Sequence, residues 1–273
     1  MNKLAAALLF LACAGAQGQE AVWMLPDVVP AVIRDGPFAH QGGSELALHA
    51  LGRALPQFTW HYEVATPLRE VHDIALRDGL CSWGFAKLPE RESFILFNNR
   101  PMISPGYGLI LREDRLAEFQ PFLDADGAVD LDRLGAAQKL LGGFPVGRPH
   151  YGSLGAFIDK NGEHLVGDTD TIRMFRQLKA RRLDYLIGVR DEALYFAAAL
   201  GENNRVIALP IVGMPRYGMG YIGCSKGPIG EAVIAAVDSY LADDAHWAAF
   251  IEPWARWMTP ADYAAALASP VIR

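Results

Sequence analysis

The sequence predicts a mixed α/β fold built as two blocks, the second inserted into the first. Three observations predict it. Strand-length apolar runs alternate with helical stripes from Ala21 to Gly79, and the same alternation restarts near Gly142 after an irregular stretch. A last extended run around Gly218–Ser225 is then followed by a tail that reads as helix throughout.

Taken in order, "AVWMLP" is a short strand ending at Pro26. "GGSELALHALGRALP" is a helix with Ser44 as its cap and Leu46, Leu48, Leu51 and Leu55 on one stripe. "FTWHYEVA" alternates as a second strand, and "TPLREVHDIALRDG" is a helix capped by Thr66, with Pro67 in its first turn and Gly79 at its stop. "LCSWGFA" is a third strand. "KLPERESFILFNNRPMISPGYG" fits neither period and leads into the strand "GLILRED".

The second block reads as strand and glycine-rich turn in "GGFPVGRPHYG", helix in "TDTIRMFRQLKARRL", strand in "DYLIGV" and helix in "RDEALYFAAALG". "NRVIALPIVG" and "RYGMGYIGCS" are extended. In the tail, Thr259-Pro260 with Asp262 opens the last helix.

The first residues, MNKLAAALLFLACAGAQGQE, have the layout of a secretory leader over residues 1–16: Lys3, an apolar run to Cys13, and a small-residue cleavage site ending at Ala16. The run is too short to span a bilayer. Lipidation of Cys13 is the weaker alternative, because Phe10-Leu11-Ala12 is a poor approach to such a cysteine. Without Lys3 the chain carries 24 basic and 31 acidic residues, net −7, which argues against nucleic-acid binding. Cys81 and Cys224 remain, and in an oxidising compartment they are either one disulfide or two buried thiols.

Two stretches carry a resemblance to a family. "DGLCSWGFAKLPERESFILFNNRP" resembles the strand, arginine-bearing turn and run into the hinge of type II periplasmic solute-binding proteins of the amino-acid branch, and "LKARRLDYLIGVRDEALYF" is similar to that family's second-lobe strand and helix. In detail the chain looks most like a poorly characterised subgroup with a cysteine in each of two first-lobe strands. The resemblance implies a two-lobed periplasmic-binding-protein type II fold, with lobe 1 over residues 20–106 and 218–273 and lobe 2 over 107–217. It further implies a hinge near Pro105–Tyr107 and Gly213–Gly218, periplasmic capture of a small solute, monomeric behaviour, and an ABC permease or a membrane sensor as partner.

In the same family the chain returns from lobe 2 antiparallel to the third strand, which would bring Cys224 beside Cys81 as a disulfide. That placement also bears on Gly218, Gly220 and Gly223, which spell G-x-G-x-x-G. A dinucleotide loop needs a βαβ frame, and a nicotinamide cofactor is not normally supplied outside the cytoplasm. The glycines are therefore expected as strand and turn backbone, and no cofactor is expected.

For ligand binding, the resemblance assigns Arg91 a two-pronged bond to a carboxylate, against an ordinary surface arginine. Lys87 would add charge at the same rim or be solvated. Trp23 and Phe85, at strand ends, would wall the cleft or belong to the core. Arg148, Tyr151 and Ser153 lie where a strand turns into a helix, as an anion site or a plain glycine turn.

Two positions depart from the amino-acid binders: Ala86 stands for a ligand-binding threonine and Val189 for an acidic residue. Asp191 would replace the latter or cap its helix. Asp184 is expected to be structural. No histidine pair has metal-ligand spacing, so no metal is expected. The alternatives are a periplasmic enzyme on the same scaffold, such as a cyclohexadienyl-dehydratase-like protein using Asp191 or Lys87, or a ligand-sensing partner of a membrane signalling protein.

Overall fold

The computed structural model describes residues 18–148, 152–201 and 206–272; the expected leader and Tyr151 lie outside them. The first sheet contains β1 (Gln19–Pro26), β2 (Phe58–Ala65), β3 (Leu80–Phe85), β4 (Ile95–Phe97), β5 (Met102–Pro105) and β11 (Tyr217–Ser225). Its order is β2-β1-β3-β11-β4, with β5 also paired to β11. The second sheet runs β10-β6-β9-β7-β8, from β6 (Tyr107–Arg112), β7 (Gly142–Pro145), β8 (Leu165–Asp168), β9 (Tyr185–Val189) and β10 (Val206–Pro210). β1 is parallel to β2 and β3, and β7 to β8 and β9, so helices must carry the chain back between them.

These helices begin where local chemistry satisfies their first N–H groups. In α2 (Pro67–Ile74) the Thr66 side chain accepts from Arg69 N, in α6 (Thr171–Lys179) Asp170 accepts from Arg173 N, and in α10 (Pro260–Leu267) Thr259 accepts from Asp262 N. The first helix, α1 (Gly43–Ala54), departs from expectation. Its cap is Gly42, and Ser44 lies inside the helix, 3% exposed. The preceding loop supplies the acceptors instead, as Gly43 N donates to Pro30 O at 2.9 Å and Glu45 N to Ala31 O at 3.1 Å. On the same helix Leu46 is 40% exposed, while Leu48, Leu51 and Leu55 are core. α2 stops at Ile74, short of Gly79, and Leu76 is 71% exposed.

Five short elements carried no sequence signal: β8, α3 (Leu116–Phe119), α4 (Leu131–Ala137) and, inside the irregular run, the strands β4 and β5. The second lobe is completed by α5 (Gly152–Lys160) and α7 (Arg190–Leu200), the first by α8 (Pro228–Leu241) and α9 (Asp244–Ile251). Trp247, Trp254 and Trp257 are all buried, and one apolar cluster crosses between the lobes, with Tyr195 of α7 at 5.5 Å from the Trp257 ring and 6.4 Å from Phe38.

β11 is antiparallel to β3, and Cys224 sits directly opposite Cys81, bonded to it with Cα atoms 4.0 Å apart. The G-x-G-x-x-G stretch is thus continuous strand: Gly218 and Gly220 pair with Ser104 and Met102, Gly223 with Ser82. Opposite it, β3 holds a bulge. Tyr221 and Ile222 face Phe85 and Trp83, leaving Gly84 as the extra residue at φ 101°. That left-handed step suits glycine and breaks the alternation of side chains, so Trp83 and Phe85 join different core clusters.

Candidate functional site

The carboxyl ends of β1, β3, β7 and β9 converge between the two sheets, the position where open α/β sheets receive ligands. A cavity of about 770 Å³ lies there. Pro26 and Val28 follow from β1, Gly84 and Phe85 close β3, and Val189 and Asp191 lead from β9 into α7. A neighbouring cavity of about 730 Å³ shares Leu68 and Gly147 with the first. Leu68 reaches across from the first lobe, and a Cβ on Gly147 (φ 88°) would stand 3.0 Å from Leu68 Cδ1. The cleft is therefore pinched at this contact; Arg91, Phe85, Ser153 and Asp191 line only the first cavity, and Arg148 lines both.

Arg91 opens a short 3₁₀ turn, Arg91–Ser93, and lines the first cavity. Its Nη1 donates to Ala86 O at 3.3 Å and its guanidinium lies 5.8 Å from the centre of the Phe85 ring. No carboxylate among the described residues pairs with it, which leaves most of its donors free for an anion. Phe85 is a wall of the same cavity.

Two other first-lobe candidates are placed elsewhere. Trp23 is fully buried and stacked on Trp60 at 4.8 Å, three residues too early in β1 to reach the strand end. Lys87 is paired with Glu92 at 3.4 Å and lies 6.0 and 5.9 Å from the ring centres of Phe97 and Tyr221, off the cavity wall. β3 ends at Phe85, so Lys87 lies beyond the strand and off the wall that Phe85 forms.

From the second lobe, Ser153 lines the cavity in the first turn of α5. Arg148 does too, but its Nη2 stands 2.7 Å from Glu192 Oε1, so its charge is already matched inside the protein. Asp191 is 6% exposed and its Oδ1 accepts no hydrogen bond among the described residues. It does not cap α7: Glu192 does, its Oε2 accepting from Val189 N at 3.0 Å. Burial, then the adjacent Glu192 charge, push the Asp191 carboxyl up to about 7, with Arg148 pulling the other way. Asp184 is structural, paired with Arg115 and accepting from Leu141 N at 2.7 Å.

Glu70 also lines this cavity, and sequence reasoning missed it. In the first turn of α2 it looks like a solvated helix charge. The available signal was its spacing, four residues before the buried Ile74 on the same helical face. It is 3% exposed, accepts from Ser82 Oγ at 2.9 Å, and burial raises its carboxyl to about 8 although the Ser82 bond opposes this.

Neither a family model nor a curated protein sequence matches the chain. Solved structures do. A histidine kinase sensor domain with similarity to periplasmic binding proteins aligns at 16% identity over 88% of this chain and 96% of its own, with a TM-score of 0.60. A mutant of ArgBP from T. maritima aligns at 16% identity over 89% and 96%, with a TM-score of 0.64. An ancestral amino-acid-binding protein, a precursor of cyclohexadienyl dehydratase, aligns at 15% identity over 89% and 96%, with a TM-score of 0.63. At these identities the likeness carries the fold and no more. The chain has the mixed α/β, two-lobed architecture of periplasmic binding proteins, with a cavity where the two lobes meet.

Proposed function

We propose that this chain is an exported solute-binding protein that captures a small, carboxylate-bearing, amino-acid-like ligand between its lobes. One observation carries the reading: Arg91, free of any acidic partner among the described residues, lines the cavity at the convergence of the strand ends. A planar guanidinium in an apolar setting suits a carboxylate. Asp191 offers a second polar contact from the other lobe. The lobes we assign are residues 20–106 with 218–273, and 107–217, after cleavage of the leader at Ala16. The partner is an ABC permease or a membrane sensor, in keeping with an ABC uptake transporter substrate binding protein and the histidine kinase sensor domain that share the fold.

The test is thermal unfolding of the mature chain against amino acids, dicarboxylates, polyamines, short peptides and aromatic acids. A ligand at a hundred times its Kd adds about 2.7 kcal/mol, which raises Tm by roughly 5–10 °C for a chain of this length. A shift that is lost in Arg91→Ala supports capture. Silence across the panel would overturn it.

A second reading is favoured by Asp191 itself, a cavity carboxyl whose pKa lies close to neutrality and suits a proton donor. Under it the chain is a dehydratase-like enzyme, and turnover of a hydroxy-carboxylate would disappear in Asp191→Asn.

A further inference from the structure

Glu70 has no assigned part in the site, and its surroundings are unusual for a glutamate. It is buried, shares the cavity lining with Trp83 and Phe85, and its only side-chain hydrogen bond among the described residues comes from Ser82 Oγ. A buried acid without a counter-charge costs stability unless the protein uses it.

The charged groups on the elements packed around Glu70 all have other engagements. On α2 itself, Arg69 and His72 bond Asp73, at 3.1 and 2.9 Å. β3 contributes no ionisable side chain besides the bonded Cys81, and the end of β1 contributes none. Across the cavity, Arg148 is matched by Glu192, and Arg91 lies on the β3 turn with Ala86 O. Only burial and the Ser82 bond set its ionisation, so at neutral pH it holds its proton. Ser82 occupies one oxygen as an acceptor, which places the acid proton on the other.

We infer that Glu70 is a neutral hydrogen-bond donor to the ligand, so that the captured solute carries, besides its carboxylate, an oxygen acceptor on an apolar body. This rests on the capture reading and specifies its ligand class. The net charge facing the cavity agrees with it. Arg148 is matched by Glu192, and Asp191, on the same lining, is pushed up to about 7 by burial and the Glu192 charge, so when Glu70 and Asp191 both hold their protons Arg91 remains to balance a carboxylate and the aromatic walls accept the rest. A buried carboxylic acid kept uncharged serves as a donor in the same manner elsewhere.

The experiment compares 3-benzoylpropionate, which has a ketone on an aromatic body, with 4-phenylbutyrate, which lacks only that oxygen. Calorimetry on the mature wild type should give the ketone at least about tenfold tighter binding, the worth of one buried hydrogen bond. Glu70→Gln, which keeps a donor and an acceptor for Ser82, should retain the preference, and Glu70→Met should lose it. Raising the pH through 8 should erode the preference in the wild type and leave Glu70→Gln unchanged.

Equal binding of the two compounds overturns the assignment while leaving capture by Arg91 intact. So does tighter binding of 4-amino-4-phenylbutyrate accompanied by proton release, which would mean an ion pair. If neither compound binds but another panel member does, the proposed ligand class falls alone. If the whole panel is silent, the capture reading and this one fall together.

Discussion

The Cys81–Cys224 bond joins two strands of one sheet across a sequence separation of 143 residues, and the whole second sheet lies inside that loop. Replacing both cysteines by alanine opens the loop in the unfolded chain. In the chain-entropy description, closing 143 residues costs the unfolded state about 17 cal/mol/K, or about 5 kcal/mol at 25 °C. Both cysteines are fully buried, so the lost sulfur contacts add to this.

Urea unfolding of the wild type, with and without reductant, and of the double alanine variant provides the assay. With a slope of about 3 kcal/mol/M, the midpoint should fall by roughly 1.5–2 M. The unreduced, denatured wild type should show no free thiol beyond any at Cys13. Coincident midpoints for oxidised and reduced protein would refute the reasoning, as would two reactive thiols from Cys81 and Cys224.

Three further outcomes follow from the buried polar groups. Glu70 and Asp191 hold protons in the folded state that the unfolded chain releases, so stability should fall as pH rises from about 4.5 to 8. Glu70→Gln should flatten that decline by about 1.4 kcal/mol per pH unit inside the window, and parallel wild-type and variant curves would contradict it. Arg100, 7% exposed, donates to Ser269 O and Leu241 O at 3.0 and 3.1 Å, and its guanidinium lies 4.8 Å from the Trp247 ring. Arg100→Ala should cost about 3 kcal/mol or more and Arg100→Lys should restore little, measured by urea midpoint. Asn98 Oδ1 accepts from Ile222 N at 2.8 Å in the core, so Asn98→Ala should cost about 1–3 kcal/mol and speed amide exchange at Ile222.

The alternation of elements and the caps at Thr66 and Thr259 were legible in the order of residues, because each depends on neighbours within a few positions or on a pattern that runs the length of an element. The return of the last strand beside the third, a pairing across 143 residues, came only from the resemblance to a family. Arg91 and Asp191 were candidates through the resemblance to a family, and both line the cavity at the strand ends, where this architecture opens.

What only the tertiary structure decided is which way individual side chains point and what surrounds them. Trp23 and Phe85 look alike as aromatics near strand ends, yet one is stacked on Trp60 and the other walls the cavity. The difference depends on how far each strand extends and on the bulge at Gly84. Lys87 and Arg91 are four residues apart, yet Lys87 is held by Glu92 off the wall while Arg91, opening a 3₁₀ turn, lines the cavity. Glu70 carries the clearest lesson: its residue type indicates solvent, but α2 lies with that face against β3, so the carboxyl is desolvated. Local sequence specifies periodicity and caps through short-range sterics and hydrogen bonds, whereas burial is a property of the packed layers and exists only once they meet.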